Sequence, residues 1–107
     1  MLNKIMLMGR LTRDPELRYT QNNTPVAGFS LAVERAHSKA KVADFFDVVA
    51  WRSTAEFSSK NFKNGQPVCV AGRLQIRLWT DNDGNNLSAS AVVAESVPFA
   101  GYTTRLV

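Results

Sequence analysis

A chain of 107 residues has room for one domain, here residues 1–107, and can bury a real core without disulfides or metals. Hydrophobic residues make up 45% and charged ones 21%, which fits a globular protein and argues against a disordered one. Thirteen Lys and Arg against nine Asp and Glu give a net charge of +4, a balance that favours a polyanionic partner without proving one. The single Cys69 cannot form an intrachain disulfide, and with His37 alone it cannot complete a zinc site, so neither a metal nor another cofactor is expected. The start, MLNKIMLMGRLTRDPE, has too short an apolar run for a signal peptide, and nothing approaches the ~20 apolar residues of a membrane span. A cytoplasmic protein, intact at its N-terminus, is the expectation.

Residues 4–11 form an apolar run that predicts a first strand, with Ile5, Leu7 and Leu11 on one face and Met6 and Met8 on the other. A strand apolar on both sides is usually covered on both, so Lys4, Met6 and Met8 are candidates for an oligomer interface. Thr12-Arg13-Asp14-Pro15 and Gln21-Asn22-Asn23-Thr24-Pro25 read as turns. Residues 26–34 then alternate, predicting a second strand with Ala27, Phe29, Leu31 and Val33 inward. The polar stretch 35–43 carries Arg35, His37, Lys39 and Lys41 and suits a mobile basic loop, a plain solvated loop tip being the competing reading.

Residues 44–51 predict the third strand, which places Phe45, Asp47, Val49 and Trp51 on one face. Ser53-Thr54-Ala55-Glu56 has the pattern of a helix capping box, and Asn64-Gly65 that of a C-cap. In residues 67–79, Val68, Val70, Leu74, Ile76 and Leu78 share one face, read as core, and Arg73, Gln75, Arg77 and Trp79 share the other. Asp81-Asn82-Asp83-Gly84 is a strong turn signal. Residues 87–99 predict a fifth strand with Leu87, Ala89, Ala91 and Val93 inward and Pro98 ending the ladder. Strand, strand, strand, helix, strand, strand is the order of the OB architecture, a small barrel with its helix after strand three. An open α+β sheet is the alternative.

Two features of this pattern carry chemistry. Arg73, Gln75, Arg77 and Trp79 make a track of forked cations ending in an indole, suited to a phosphate chain with a base at its end. Phe45 and Trp51, roughly 20 Å apart along one strand face, can each stack a base, a contact indifferent to base identity. The bland alternatives are a solvated strand face and rings that belong to the core. His37 is a weaker stacking candidate, Asp47 is read as an ion-pair partner for a nearby arginine, and Cys69 has no redox role. No carboxylate pair, catalytic triad or glycine-rich phosphate loop is present, so the chain is not read as an enzyme.

Leu2-Asn3-Lys4-Ile5, Gly9-Arg10-Leu11, Asp14-Pro15-Glu16-Leu17-Arg18-Tyr19, Phe29-Ser30-Leu31-Ala32-Val33, Asp44-Phe45 through Trp51-Arg52, Gly72-Arg73-Leu74 and Val92-Val93-Ala94-Glu95-Ser96-Val97-Pro98-Phe99 together resemble bacterial single-stranded DNA-binding proteins. The resemblance covers nearly the whole chain in order. It implies an all-β OB-fold with one short helix, a five-stranded Greek-key barrel, assembled as a homotetramer, with a dimer possible. It further implies sequence-independent binding and protection of single-stranded DNA during replication, recombination and repair. The family's stacking aromatics fall on Phe45, Trp51 and Trp79, and a further loop aromatic on His37. Phosphate contacts are expected from Arg10, Arg35, Lys39, Lys41, Arg52, Arg73 and Arg77. Asn22-Asn23 replaces the Asn-Gly of many members, a change that Asn tolerates because it enters the left-handed region. Family members usually continue into a linker and an acidic tip that recruits proteins, whereas no acid follows Glu95, so partners through such a tail are not supported. An OB-fold replication-restart accessory acting as an interaction adaptor is the alternative function.

Overall fold

The computed structural model describes residues 1–37 and 39–101. Its elements run β1 (Ile5–Leu11), β2 (Glu16–Tyr19), β3 (Pro25–Glu34), β4 (Ala43–Trp51), α1 (Arg52–Asn61), β5 (Pro67–Thr80) and β6 (Asn86–Ala100). The sheet order is β1-β5-β6-β4-β3-β2, and β1 pairs again with β3, so five strands close a ring and β2 extends its edge. The β4–β6 pairing is parallel, while β1–β5, β3–β4 and β5–β6 are antiparallel. A closed five-stranded sheet with its helix after the third ring strand is the OB barrel.

The extra strand β2 was hidden between two turn signals. Leu11 pairs with Leu31 and the Thr12 N–H donates to the Ser30 carbonyl at 3.0 Å, after which residues 12–15 leave the ladder. Pro15 has no N–H to give to a ladder. Pairing resumes at Glu16↔Gly28, so β1 and β2 both lie along β3 with a proline-bearing interruption between them. In the following hairpin Asn23 sits at φ +63°, the left-handed geometry that asparagine tolerates.

Alternation along β3 and β4 fills the barrel. Phe29, Leu31, Val48 and Ala50 are buried, joined by Leu11 from β1, Val68 and Val70 from β5 and Val92 from β6. The helix closes one end through Ala55, Ser58 and Phe62, all fully buried. The Phe62 ring meets Phe29 edge-on at 5.8 Å. The expected capping box does not form. β4 keeps its ladder through Trp51↔Val26, and Arg52 at φ +58° turns the chain straight into the helix, so Ser53 falls inside the first turn. Nor does Asn64-Gly65 end the helix. Phe62 is the C-cap, its N–H donating to the Ser58 carbonyl at 2.9 Å, and Gly65 makes the next turn at φ +85°. Pulling Phe62 into the core ends the helix early.

The long β5–β6 hairpin departs most from expectation. Leu74, Ile76 and Leu78 do share the face of Val68 and Val70, yet they are 37%, 60% and 75% exposed. The reason is the length of β1: it begins at Ile5, opposite Gly72, so beyond Gly72 no barrel wall faces these side chains. Asn3 closes that corner, its Nδ2 donating to the Leu74 carbonyl at 2.8 Å and its Oδ1 accepting from the Leu74 N–H at 3.0 Å. Leu87, Ala89 and Ala91 pair with Trp79, Arg77 and Gln75, which puts them on the outward face and not inside. Gly72 marks a close approach of β5 to β6, since a Cβ there would lie 1.9 Å from the Val93 carbonyl oxygen. Pro98 does not end the ladder either. It falls in a stretch of shifted register between Ser96 and Phe99, where no ladder hydrogen bond is required of it, and pairing resumes at Cys69↔Phe99. The hairpin's tip is tied by Asp81, whose Oδ1 accepts the N–H groups of Asp83 and Asn85 at 2.9 and 2.8 Å. The Asn85 N–H, ahead of other contacts, holds that carboxyl below its usual range.

Candidate nucleic-acid interface

Opposed residues of paired strands share a face. On the outward side of the sheet, β4 contributes Phe45, Asp47, Val49 and Trp51, and β5 contributes Arg73, Gln75, Arg77 and Trp79, with the small residues Ala89 and Ala91 of β6 between. Small residues on the middle strand leave the larger groups of β4 and β5 standing as walls. Phe45, Trp51 and Trp79 are 70%, 41% and 39% exposed, so none belongs to the core.

Each of the three rings borders its own recess. Phe45 lines one of about 410 Å³ with Phe46, Asp47 and Leu74. Trp51 lines one of about 300 Å³ with Asp47, Val49, Gln75 and Arg77. Trp79 lines one of about 320 Å³ with Leu78, Thr80 and Asn86. The Arg77 guanidinium lies over the Trp79 ring, 5.0 Å from its centre, which holds both groups in place. A flat aromatic ring laid against any of these walls removes apolar surface from water while its edges stay wet.

The cations divide into sets. Arg77 has no carboxylate partner among the described residues and lines the Trp51 recess. Arg73 is 3.5 Å from Glu95, which also holds Lys4 at 3.2 Å. Arg35 grips Asp44 with two nitrogens, Nε at 3.0 Å and Nη2 at 2.9 Å. That hydrogen bonding holds the Asp44 carboxyl below its ordinary range and raises Arg35 above its own. Arg10 donates to the Gly65 carbonyl at 3.1 Å and meets Lys41 and Glu34 around a separate recess of about 440 Å³. His37 and Lys39 are exposed in the connection from β3 to β4, whose flanking ladder reaches Glu34↔Ala43. Arg52 is exposed at the strand–helix joint next to Trp51. Met6 and Met8 are exposed on one face of β1.

Asp47 does not pair with an arginine. It stands opposite Ser30 across β3 and β4 and accepts from the Ser30 hydroxyl at 3.3 Å, while Arg77, which lines the same recess, lies over the Trp79 ring. Arg18 is a neighbour that the sequence pattern did not single out. The registers Arg18↔Val26 and Val26↔Trp51 put it in one lateral row with the indole, on the same outward face. Only recognition of β2 as a strand could have shown which way it faces.

A model of the Single-strand binding protein family matches residues 2–100 of the chain. The single-stranded DNA-binding protein of Caldanaerobacter subterraneus subsp. tengcongensis is 45% identical over 102 residues, covering 92% of this chain and 68% of that protein. That of Halalkalibacterium halodurans is 47% identical, with 92% and 61% covered. The single-stranded DNA-binding protein A of Bacillus subtilis is 46% identical, with 92% and 59% covered. The chain thus spans about 59 to 68% of the length of these relatives.

Proposed function

Because the chain belongs to the Single-strand binding protein family, we propose that it binds single-stranded DNA, without base sequence as the main criterion, across the outward face of β4, β6 and β5. One observation carries this reading: Phe45, Trp51 and Trp79 are exposed on one side of the sheet, each beside its own recess. Stacking on such rings accepts any base, because every base has a π-face. Arg77 is the phosphate contact the geometry favours, with Arg52, Lys39 and Lys41 exposed for the same use. Arg35, Arg73 and Arg10 reach a phosphate by exchanging Asp44, Glu95 and the Gly65 carbonyl for it. His37 contributes a further ring from the hairpin link.

The role is protective and non-catalytic, serving replication, recombination and repair in the cytoplasm, at the nucleoid. All 107 residues act as one binding domain. Among the described residues no helix is long and apolar enough to cross a membrane. Assembly follows from β1: its ladder with β3 covers only Arg10 and Leu11, so from Ile5 to Met8 one edge lacks a ladder partner among the described residues. A second copy pairing there covers Met6 and Met8 and brings Lys4 to the interface, as part of a homotetramer.

Titrating the protein with oligo-dT while following tryptophan fluorescence tests the binding claim. Saturable quenching is expected, with affinity falling linearly in log–log form as salt rises. A blunt duplex of equal length is expected to bind on the order of 100-fold more weakly, since paired bases are closed to the rings. Equal affinity for the two forms contradicts the proposal.

A further inference from the structure

Arg18 stands on the outward side of the sheet with its charge unused. The row Arg18↔Val26↔Trp51 crosses β2, β3 and β4, so two strand spacings, about 10 Å, separate its backbone from that of the indole. Val26 between them is 8% exposed, which leaves Trp51 and Arg18 as the two groups of the row that stand clear. Among the described residues the Arg18 guanidinium enters no hydrogen bond and no ion pair.

Charge on this part of the face is zoned. Glu16 lies two residues before Arg18 on the same side of β2, opposite Gly28, and Asp47 lies on β4 opposite Ser30. These two carboxylates border a floor of small residues on β3 and repel a phosphate laid there. At the other end of β3, Arg10 stands opposite Ala32, donates to the Gly65 carbonyl and shares its recess with Glu34. The Trp51 row is the crossing of β3 that ends on a cation with no acceptor of its own.

A nucleotide inside a chain carries a phosphate on each side of its base. Arg77 borders the Trp51 recess from β5, two strands to one side of β4, and Arg18 stands on β2, two strands to the other. A forked guanidinium suits a phosphate at either place. We propose that Arg18 is a phosphate contact: a strand stacked on Trp51 continues across β3 onto β2, where Arg18 receives the phosphate on the side of the base away from Arg77. The inference rests on the single-strand reading above and lengthens the path that reading assigns.

The test titrates oligo-dT against the unaltered protein, Arg18→Ala, Arg18→Lys and Lys60→Ala over a series of salt concentrations. Losing one phosphate contact is expected to lower the log–log salt slope of Arg18→Ala by about 0.7, which is about a fivefold loss of affinity at about 0.1 M salt that closes toward about 1 M. Arg18→Lys keeps the charge and is expected to keep the slope. Lys60→Ala removes an equal charge from the exposed last turn of α1 and is expected to change neither slope nor affinity. In a Trp51→Ala background, Arg18→Ala is expected to cost less than it does alone, since the base that sets its phosphate is no longer held. An unaltered slope in Arg18→Ala overturns the proposal. So does a loss of equal size in Lys60→Ala, which reduces Arg18 to whole-molecule charge, and so do fully additive losses with Trp51→Ala, which place the phosphate elsewhere. Failure of the unaltered protein to bind oligo-dT at any salt contradicts the single-strand reading itself, a result distinct from these.

Discussion

Phe62→Ala is expected to destabilise the fold by about 3–5 kcal/mol. The Phe62 side chain is fully buried just past the end of α1, edge-on to Phe29 at 5.8 Å and to Phe57 at 5.9 Å. It fastens the helix to the end of the barrel, and neither Ala55 nor Ser58 is large enough to fill the space its ring leaves. Removing it forfeits the transfer energy of a phenyl group and the edge-on contact with Phe29, and leaves a cavity that a closed sheet cannot collapse around. Chemical denaturation reads this as a lower midpoint at unchanged slope. Phe57→Ala is the comparison: that ring is 50% exposed, so its loss is expected to cost well under half as much. Equal costs for the two variants contradict the assigned role of Phe62 as the anchor of the helix.

Replacing both indoles is expected to produce the largest loss of single-strand affinity. Trp51→Ala and Trp79→Ala each remove one stacking platform, about 1–3 kcal/mol apiece. The two rings border separate recesses, so their losses are expected to add, giving about 2–6 kcal/mol for the double variant. Trp79→Ala also releases Arg77 from the ring it lies over, which leaves the guanidinium less confined for the phosphate contact proposed for it. Both rings are partly exposed, so the unfolding midpoint is expected to move little while the titration moves greatly. A variant that unfolds while its residual folded fraction binds with full affinity assigns its ring to packing and contradicts the stacking role.

Much of this site was legible because a strand's period is two. Phe45 with Trp51, and Arg73 with Arg77 and Trp79, were placed on common faces by counting alone, and the registers put all five on one side of the sheet. Counting says which residues share a face and not what lies opposite. Leu74, Ile76 and Leu78 were therefore read as core, though β1 begins too late in the chain to wall them in. Glu16-Leu17-Arg18-Tyr19 is too short and too polar to announce a strand, so the position of Arg18 beside the Trp51 row stayed hidden. The partner of Asp47 was out of reach for the same reason. Choosing Ser30 over an arginine requires knowing the β3–β4 register and that Arg77 lies over Trp79.

The unpaired strand is proposed to lie across β4, β6 and β5, against the rings of β4 and β5. Photocrosslinking single-stranded DNA that carries 5-iodouracil, followed by mass spectrometric mapping of the joined residues, tests it most directly. Adducts are expected at Phe45, Trp51 and Trp79. Adducts confined to Phe57 on the helix or to Met6 and Met8 on β1, with these three rings untouched, would contradict it.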